Sequence, residues 1–162
     1  MRAGEITRLA AALGNACRRR GVVLAVAESC TGGAVAEAIT RIPGCTRWFD
    51  RGYVTYSNEA KIELLGVAPA TLDRFGAVSE AVAREMAVGA LQNSRADASV
   101  AITGIAGPSG GSRTKPVGMV WVAWAGRDGG VQAREFRFKG DREAIRRQAT
   151  AVVLQGLADL LR

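Results

Sequence analysis

Apolar residues recur at three- and four-residue steps through Ile6, Leu9, Ala10, Leu13 and Cys17, a period that predicts an amphipathic helix. Arg18-Arg19-Arg20 and then Gly21 close it, because basic side chains favour a helix C-terminus and glycine supplies the left-handed cap. The unbroken apolar run over residues 22–27 predicts a buried strand, and residues 34–42 return to helical spacing before Pro43-Gly44. Residues 48–56 are rich in β-favouring types, and a short helix is expected over 57–65 with Ser57 or Asn58 as its cap. Val78-Ser79-Glu80 opens a helix to about Asn93, and residues 98–102 form another buried strand. Two further strands, 117–125 and 131–138, face each other across Gly126-Arg127-Asp128-Gly129-Gly130, the pattern of an antiparallel hairpin. Asp141 caps a closing helix whose stripe runs through Ile145, Ala149, Val152, Val153, Leu157, Leu160 and Leu161. This alternation predicts an α/β fold, one three-layer α/β/α domain over 1–162 with a mixed sheet covered by helices on both faces.

Composition narrows the chemistry. Histidine is absent, which excludes a Ser-His-Asp triad, a Cys-His pair and histidine zinc ligation. Acid–base work near neutral pH then falls to Lys, Tyr, Cys or a displaced carboxylate. The 3 cysteines, Cys17, Cys30 and Cys45, form no C-x-x-C pair and suit a reducing, cytoplasmic setting. No apolar run is long enough for a membrane helix, so no membrane partner is expected; with no histidine and no paired cysteines no metal is expected, and no cofactor is expected either. The net charge of +7 is concentrated in residues 1–20 and 134–147, while the stretch between is neutral. A nucleic-acid partner would call for basic residues interleaved with aromatics, and here the aromatics lie in predicted strands.

Four places could carry chemistry. The turn Ser29-Cys30-Thr31-Gly32-Gly33 follows a buried strand and opens a helix, at the sheet edge where α/β proteins bind ligands. It reads equally as a tight turn, a phosphate cradle, or a nucleophile beside an oxyanion hole. Tyr56 and Lys61 flank a strand-to-helix junction, where a lysine of lowered pKa could act as base for a serine hydroxyl. The alternative is an exposed lysine paired with Glu59 or Glu63. The length and composition of the Gly-rich loop from Thr103 through Gly104 and Gly107 to Gly111 favour a ligand loop over a passive connection. Arg142 and Arg146 share one face near the start of the last helix, against its dipole, and read as a solvated face or a phosphate clamp.

Taken in order, Ala27-Glu28-Ser29-Cys30-Thr31-Gly32-Gly33, Tyr56-Ser57-Asn58-Glu59-Ala60-Lys61 with Leu65-Gly66-Val67, Gly76-Ala77-Val78-Ser79-Glu80, and Thr103-Gly104-Ile105-Ala106-Gly107-Pro108 with Lys115-Pro116-Val117-Gly118 resemble the CinA C-terminal domain family. The likeness spans nearly the whole chain. It implies hydrolysis of the carboxamide of nicotinamide mononucleotide to nicotinate mononucleotide and ammonia, in NAD recycling. It implies Ser29 as nucleophile, Lys61 as its base and Tyr56 in an assisting position. The amides around Thr31, Gly32 and Gly33, with Thr103, are then expected to hold the oxyanion, and the Gly-rich loops (Gly104, Gly107) or Arg142 the nucleotide phosphate. Longer family members carry an additional N-terminal domain, which this chain is expected to lack; a homo-oligomer is expected. Competing readings are attack by Cys30, a nucleotide-binding module without chemistry, and a nucleic-acid-binding protein of the competence-linked kind.

Overall fold

The computed structural model describes residues 4–162. Five strands form a mixed sheet in the order β2-β1-β3-β4-β5: β1 (Leu24–Glu28), β2 (Phe49–Val54), β3 (Ala98–Gly104), β4 (Met119–Gly126) and β5 (Val131–Arg137). β1 runs parallel to both β2 and β3, while β3–β4 and β4–β5 are antiparallel. The helices are α1 (Glu5–Arg20), α2 (Ala34–Thr40), α3 (Asn58–Leu65), α4 (Pro69–Phe75), α5 (Glu80–Gln92) and α6 (Arg142–Leu160).

The apolar strands look uniform in sequence, yet side-chain size alternates along them. Leu24, Val26, Val100, Ile102, Val120 and Val122 face a core built with α1, α2 and α6. Ala25, Ala27, Ala101, Ala123 and Ala125 face the other core, where α5 lays its own Ala83, Ala87 and Ala90 close against the sheet. Successive strand residues point to opposite faces, so this large–small alternation lets one helix approach closely on one side and three bulkier contacts fill the other. The three-layer mixed sheet expected from the alternation of elements is thus the observed fold.

Some boundaries move. Glu28 belongs to the end of β1, and Thr103 and Gly104 belong to β3, which runs two residues into the expected loop. Trp48 precedes β2 as a buried core side chain, and Tyr56 lies two residues beyond its end. Helix α4 has no counterpart among the predicted elements. Only Pro69 at its first turn marks it, and its seven residues bury just Leu72, too few for a periodic pattern.

The chain leaves β1 through α2 on one face to reach β2, then returns through α3, α4 and α5 on the other face to β3. Strand β1 therefore sits where the winding reverses, and the crevice at its carboxyl end is the favoured ligand site of such sheets. Ser29 is the next residue.

Candidate active site

The ends of three parallel strands meet at one level. Glu28 is in register with Val54 of β2 and Ile102 of β3, so Ser29, Thr55 and Thr103 emerge side by side. The Ser29 amide continues the ladder by donating to the Ile102 carbonyl (3.0 Å), and the Thr55 amide donates to the Glu28 carbonyl (2.8 Å). These bonds fix the serine by backbone before any side chain acts.

Lys61 projects from the first turn of α3, which Ser57 caps by accepting from the Ala60 amide (3.0 Å). Its side chain is 1% exposed, among the largest fully buried side chains of the described residues. Nζ lies 2.9 Å from Ser29 Oγ, and it donates to the Thr55 carbonyl (2.7 Å) and the Tyr56 carbonyl (3.0 Å). Burial disfavours the ammonium form and lowers the Lys61 pKa from 10.5 to about 8. The surface-lysine alternative, paired with Glu59 or Glu63, is not what the fold builds.

Two charged side chains hold the serine turn. Glu28, also 1% exposed, accepts from Thr31 Oγ1 (2.7 Å) and from the amides of Gly33 (3.2 Å), Val35 (2.9 Å) and Ala36 (3.0 Å). A carboxylate thereby covers the positive end of α2, whose cap residue Gly33 has no side chain to do so. From the opposite direction Arg146 donates through Nε to the Cys30 carbonyl (3.1 Å) and through Nη2 to the Thr31 carbonyl (3.0 Å).

Two of the expected oxyanion donors are already engaged in this structure. The Gly33 amide already serves Glu28, and the Gly32 amide donates to the Ser29 carbonyl (3.0 Å), so the helix N-terminus is closed to an anion. The backbone amides of Cys30 and Thr31 have no partner among the described residues. Glu28 is not among the site residues expected from the sequence, although an acid ending a buried apolar run is a signal; Arg146, expected with Arg142 as a solvated face or a phosphate clamp, is instead committed to the Cys30 and Thr31 carbonyls.

A cavity of about 210 Å³ opens beside the dyad. Ser29, Cys30, Tyr56 and Lys61 line it from one side, with Ala77, Val78, Thr103, Gly104, Ala106 and Arg142 around the rest. Thr103 is buried, and its hydroxyl donates to the Ala77 carbonyl (2.9 Å). Gly104 is required by packing, since a Cβ there would fall 2.6 Å from Val120. Gly107 stands back from the cavity and presents its carbonyl to Arg142 Nη1 (2.8 Å). Arg142 also reaches the Tyr56 hydroxyl (3.4 Å) at the mouth, where the Tyr56 ring is 63% exposed. The phenol is therefore a rim group, and it is the Tyr56 carbonyl that touches Lys61. Burial pushes the Cys30 thiol up to about 12, which disfavours its thiolate form. Among the described residues no group of His, Cys, Asp and Glu could hold a metal ion, and no helix is long and apolar enough to cross a membrane.

Residues 6–161 match the model of the CinA C-terminal domain. The nicotinamide-nucleotide amidohydrolase PncC of Escherichia coli (strain K12) is 56% identical over 154 residues, covering 94% of this chain and 93% of that protein. A protein of the same description from Pseudomonas putida is 50% identical over 155 residues, 96% of each chain. The crystal structure of the competence/damage inducible protein CihA from Agrobacterium tumefaciens superposes with a TM-score of 0.96 at 45% identity, covering 100% of this chain and 99% of that one.

Proposed function

The chain belongs to the CinA C-terminal domain family, and we propose that it is an amidohydrolase cleaving the carboxamide of nicotinamide mononucleotide through a Ser29–Lys61 dyad. The observation that carries this reading is the 2.9 Å contact between Lys61 Nζ and Ser29 Oγ in a buried setting. A neutral amine has two N–H donors and one lone pair. The Thr55 and Tyr56 carbonyls take the two donors, which leaves the lone pair for the Ser29 hydroxyl proton. After proton transfer the ammonium has three acceptors for its three donors, so no partner is stranded in either state.

An amide is a poor electrophile, and a covalent intermediate divides its hydrolysis into two easier steps. Ser29 Oγ bonds to the carboxamide carbon as its proton passes to Lys61. The tetrahedral adduct collapses with breakage of the C–N bond, and Lys61 returns the proton to the departing ammonia. Water then attacks the ester, again giving a proton to Lys61, and release of the carboxylate restores Ser29. The Cys30 and Thr31 amides are the donors left for the oxyanion, in the position next to the nucleophile that acyl-transfer sites commonly use.

A cavity of about 210 Å³ is small for a whole nucleotide, since pockets for such ligands usually exceed about 300 Å³. The nicotinamide end enters it, and the ribose phosphate lies along the mouth, where the exposed Arg142 guanidinium is fixed by Gly107 and Tyr56. Conversion of nicotinamide mononucleotide to nicotinate mononucleotide places the reaction in pyridine nucleotide (NAD) recycling. The test is incubation with nicotinamide mononucleotide and assay of ammonia and nicotinate mononucleotide. Turnover by the intact protein and its loss in Ser29→Ala are expected; full turnover by Ser29→Ala would overturn the dyad.

A further inference from the structure

A second hollow lies at the end of the sheet opposite Ser29 and Lys61. Two adjoining cavities of about 410 and 380 Å³ share Trp124, Gln132 and Leu160, and make one groove between the last turns of α6 and the β4–β5 hairpin. Each is larger than the 210 Å³ cavity at the dyad, and each falls in the size range of small-molecule sites.

The groove follows from how α6 seats Trp124. Gly156 stands inside this 19-residue helix, where glycine is unfavourable, and a Cβ there would fall 2.5 Å from the Trp124 ring. The indole lies in the notch that Gly156 leaves, and Trp124 lines both cavities. Trp124 is in register with Gln132, and Val122 with Arg134, so Gln132 and Arg134 stand beside the indole on one face of the hairpin. α6 packs over β3 and β4, and on the edge strand β5 both side chains stay exposed.

These two differ from the other polar groups of the groove in having nothing to bond. Asp97 accepts from the Val23 amide (2.8 Å) and Asp128 from the Gly130 amide (3.0 Å). Arg127 donates to the Ser94 carbonyl (3.1 Å), and Asp159 pairs with Arg162 (3.1 Å). The Gln132 carboxamide has no hydrogen-bond partner among the described residues. Arg134 has no acidic partner among them, and its guanidinium lies 5.0 Å over the Phe136 ring.

We propose that this groove binds an adenylate group, free as adenosine monophosphate or as one end of a dinucleotide, with its base at Trp124 and Gln132 and its phosphate at Arg134. An aromatic wall favours a flat π-system, which every base offers. The Gln132 carboxamide presents a donor beside an acceptor, the pattern that matches the exocyclic amine of adenine and the ring nitrogen next to it. A guanidinium without a carboxylate matches a phosphate. Leu160, 49% exposed, adds apolar surface for the base to cover. The groove shares no lining residue with the cavity of the dyad, so the proposal stands apart from the amidase reading.

The experiment titrates the full chain with adenosine monophosphate, adenosine, cytidine monophosphate and NAD by calorimetry, and locates the bound ligand by hydrogen exchange. Adenosine monophosphate is expected to bind with a Kd below about 1 mM and to slow exchange in the β4–β5 hairpin and the last turns of α6. Arg134→Gln is expected to weaken it roughly tenfold, to the level of adenosine. Gln132→Leu is expected to erase the preference over cytidine monophosphate. Both replaced side chains are exposed, and unchanged melting temperatures confirm that the variants fold. Arg142→Gln, altered at the mouth of the other cavity, is expected to leave the affinity as it was. Binding of NAD with protection of the same segments extends the site to dinucleotides; binding of adenosine monophosphate alone confines it to mononucleotides. Absence of binding at millimolar ligand overturns the proposal. So does an affinity lost in Arg142→Gln and kept in Arg134→Gln, which would put the nucleotide beside the dyad.

Discussion

Lys61 Nζ and Ser29 Oγ stand 2.9 Å apart although thirty-two residues separate them in the chain, and the amine spends its other bonds on the carbonyls of Thr55 and Tyr56. Those carbonyls follow the strand that pairs with β1, so the sheet that sets Ser29 also sets the acceptors that orient its base. A lysine in this setting can exchange a proton with the serine without losing a hydrogen bond, which is what a chain without histidine needs.

The pH–rate profile follows from that burial. With the Lys61 pKa lowered to about 8, the neutral base becomes scarcer as pH falls, and kcat/KM is expected to drop about tenfold per pH unit on the acid side. Above a pH of about 8 the profile should level off. Steady-state kinetics across this range check it; a flat profile through neutrality would remove Lys61 as the base.

Folding stability should carry the same group with a defined sign. The folded pKa of about 8 lies below the unfolded 10.5, so between these values the unfolded chain binds more protons and stability rises with pH. Below that window both states hold the proton, and the folded protein bears the full cost of a buried ammonium. Relative to Lys61→Met, the unaltered protein is expected to gain roughly 2 kcal/mol between about pH 7 and pH 10. Urea titrations of both proteins at several pH values measure the difference, and a pH-independent gap would contradict it.

Glu28→Ala removes the acceptor from three amides and the Thr31 hydroxyl at once. A loss of about 2–4 kcal/mol of stability is expected, at the upper end of cap and buried hydrogen-bond deletions. The Ser29 turn loosens with it, so kcat should fall in the folded fraction. Equilibrium unfolding with active-site titration separates the two effects.

Cys30→Ala is expected to retain most activity, and the unaltered protein should resist thiol alkylation at Cys30 near neutral pH. The thiol is pushed up to about 12 by burial and supplies almost no thiolate. Rapid labelling of Cys30, or an inactive Cys30→Ala that folds normally, would restore sulfur to the mechanism.

Gly89 tests how the base is carried. A Cβ at this position of α5 would sit 1.9 Å from the Leu65 carbonyl oxygen, at the end of the helix that bears Lys61. Gly89→Ala must push α3 away, with an expected cost of about 1–3 kcal/mol and a lowered kcat from displacement of Lys61. Thermal melts and turnover of the same preparation read both.

Much of this protein is written locally in its chain. The apolar periods of α1 and α6, the Ser57, Ser79 and Asp141 caps and the glycine-rich turns determine which segments become helices and strands, since each depends on residues a few positions apart. The Ser29 turn is legible as a candidate site because a buried strand runs into it, and the motif likeness points to Lys61, which the fold brings to its side. Helix α4 was not legible, because seven residues with one buried side chain leave no period to read.

What only the tertiary structure decided is where the donors and acceptors go. Sequence offers the Gly32-Gly33 amides to a substrate; the fold gives them to Glu28 and to the Ser29 carbonyl. Arg146 reads as a solvated cation or a phosphate clamp until α6 packs beside α2 and its guanidinium meets the Cys30 and Thr31 carbonyls. Lys61 reads as an ordinary helix lysine until α3 is laid against the sheet and its charge becomes costly. Hydrogen-bond partners and desolvation arise from groups distant in the chain, and local propensity carries no record of them.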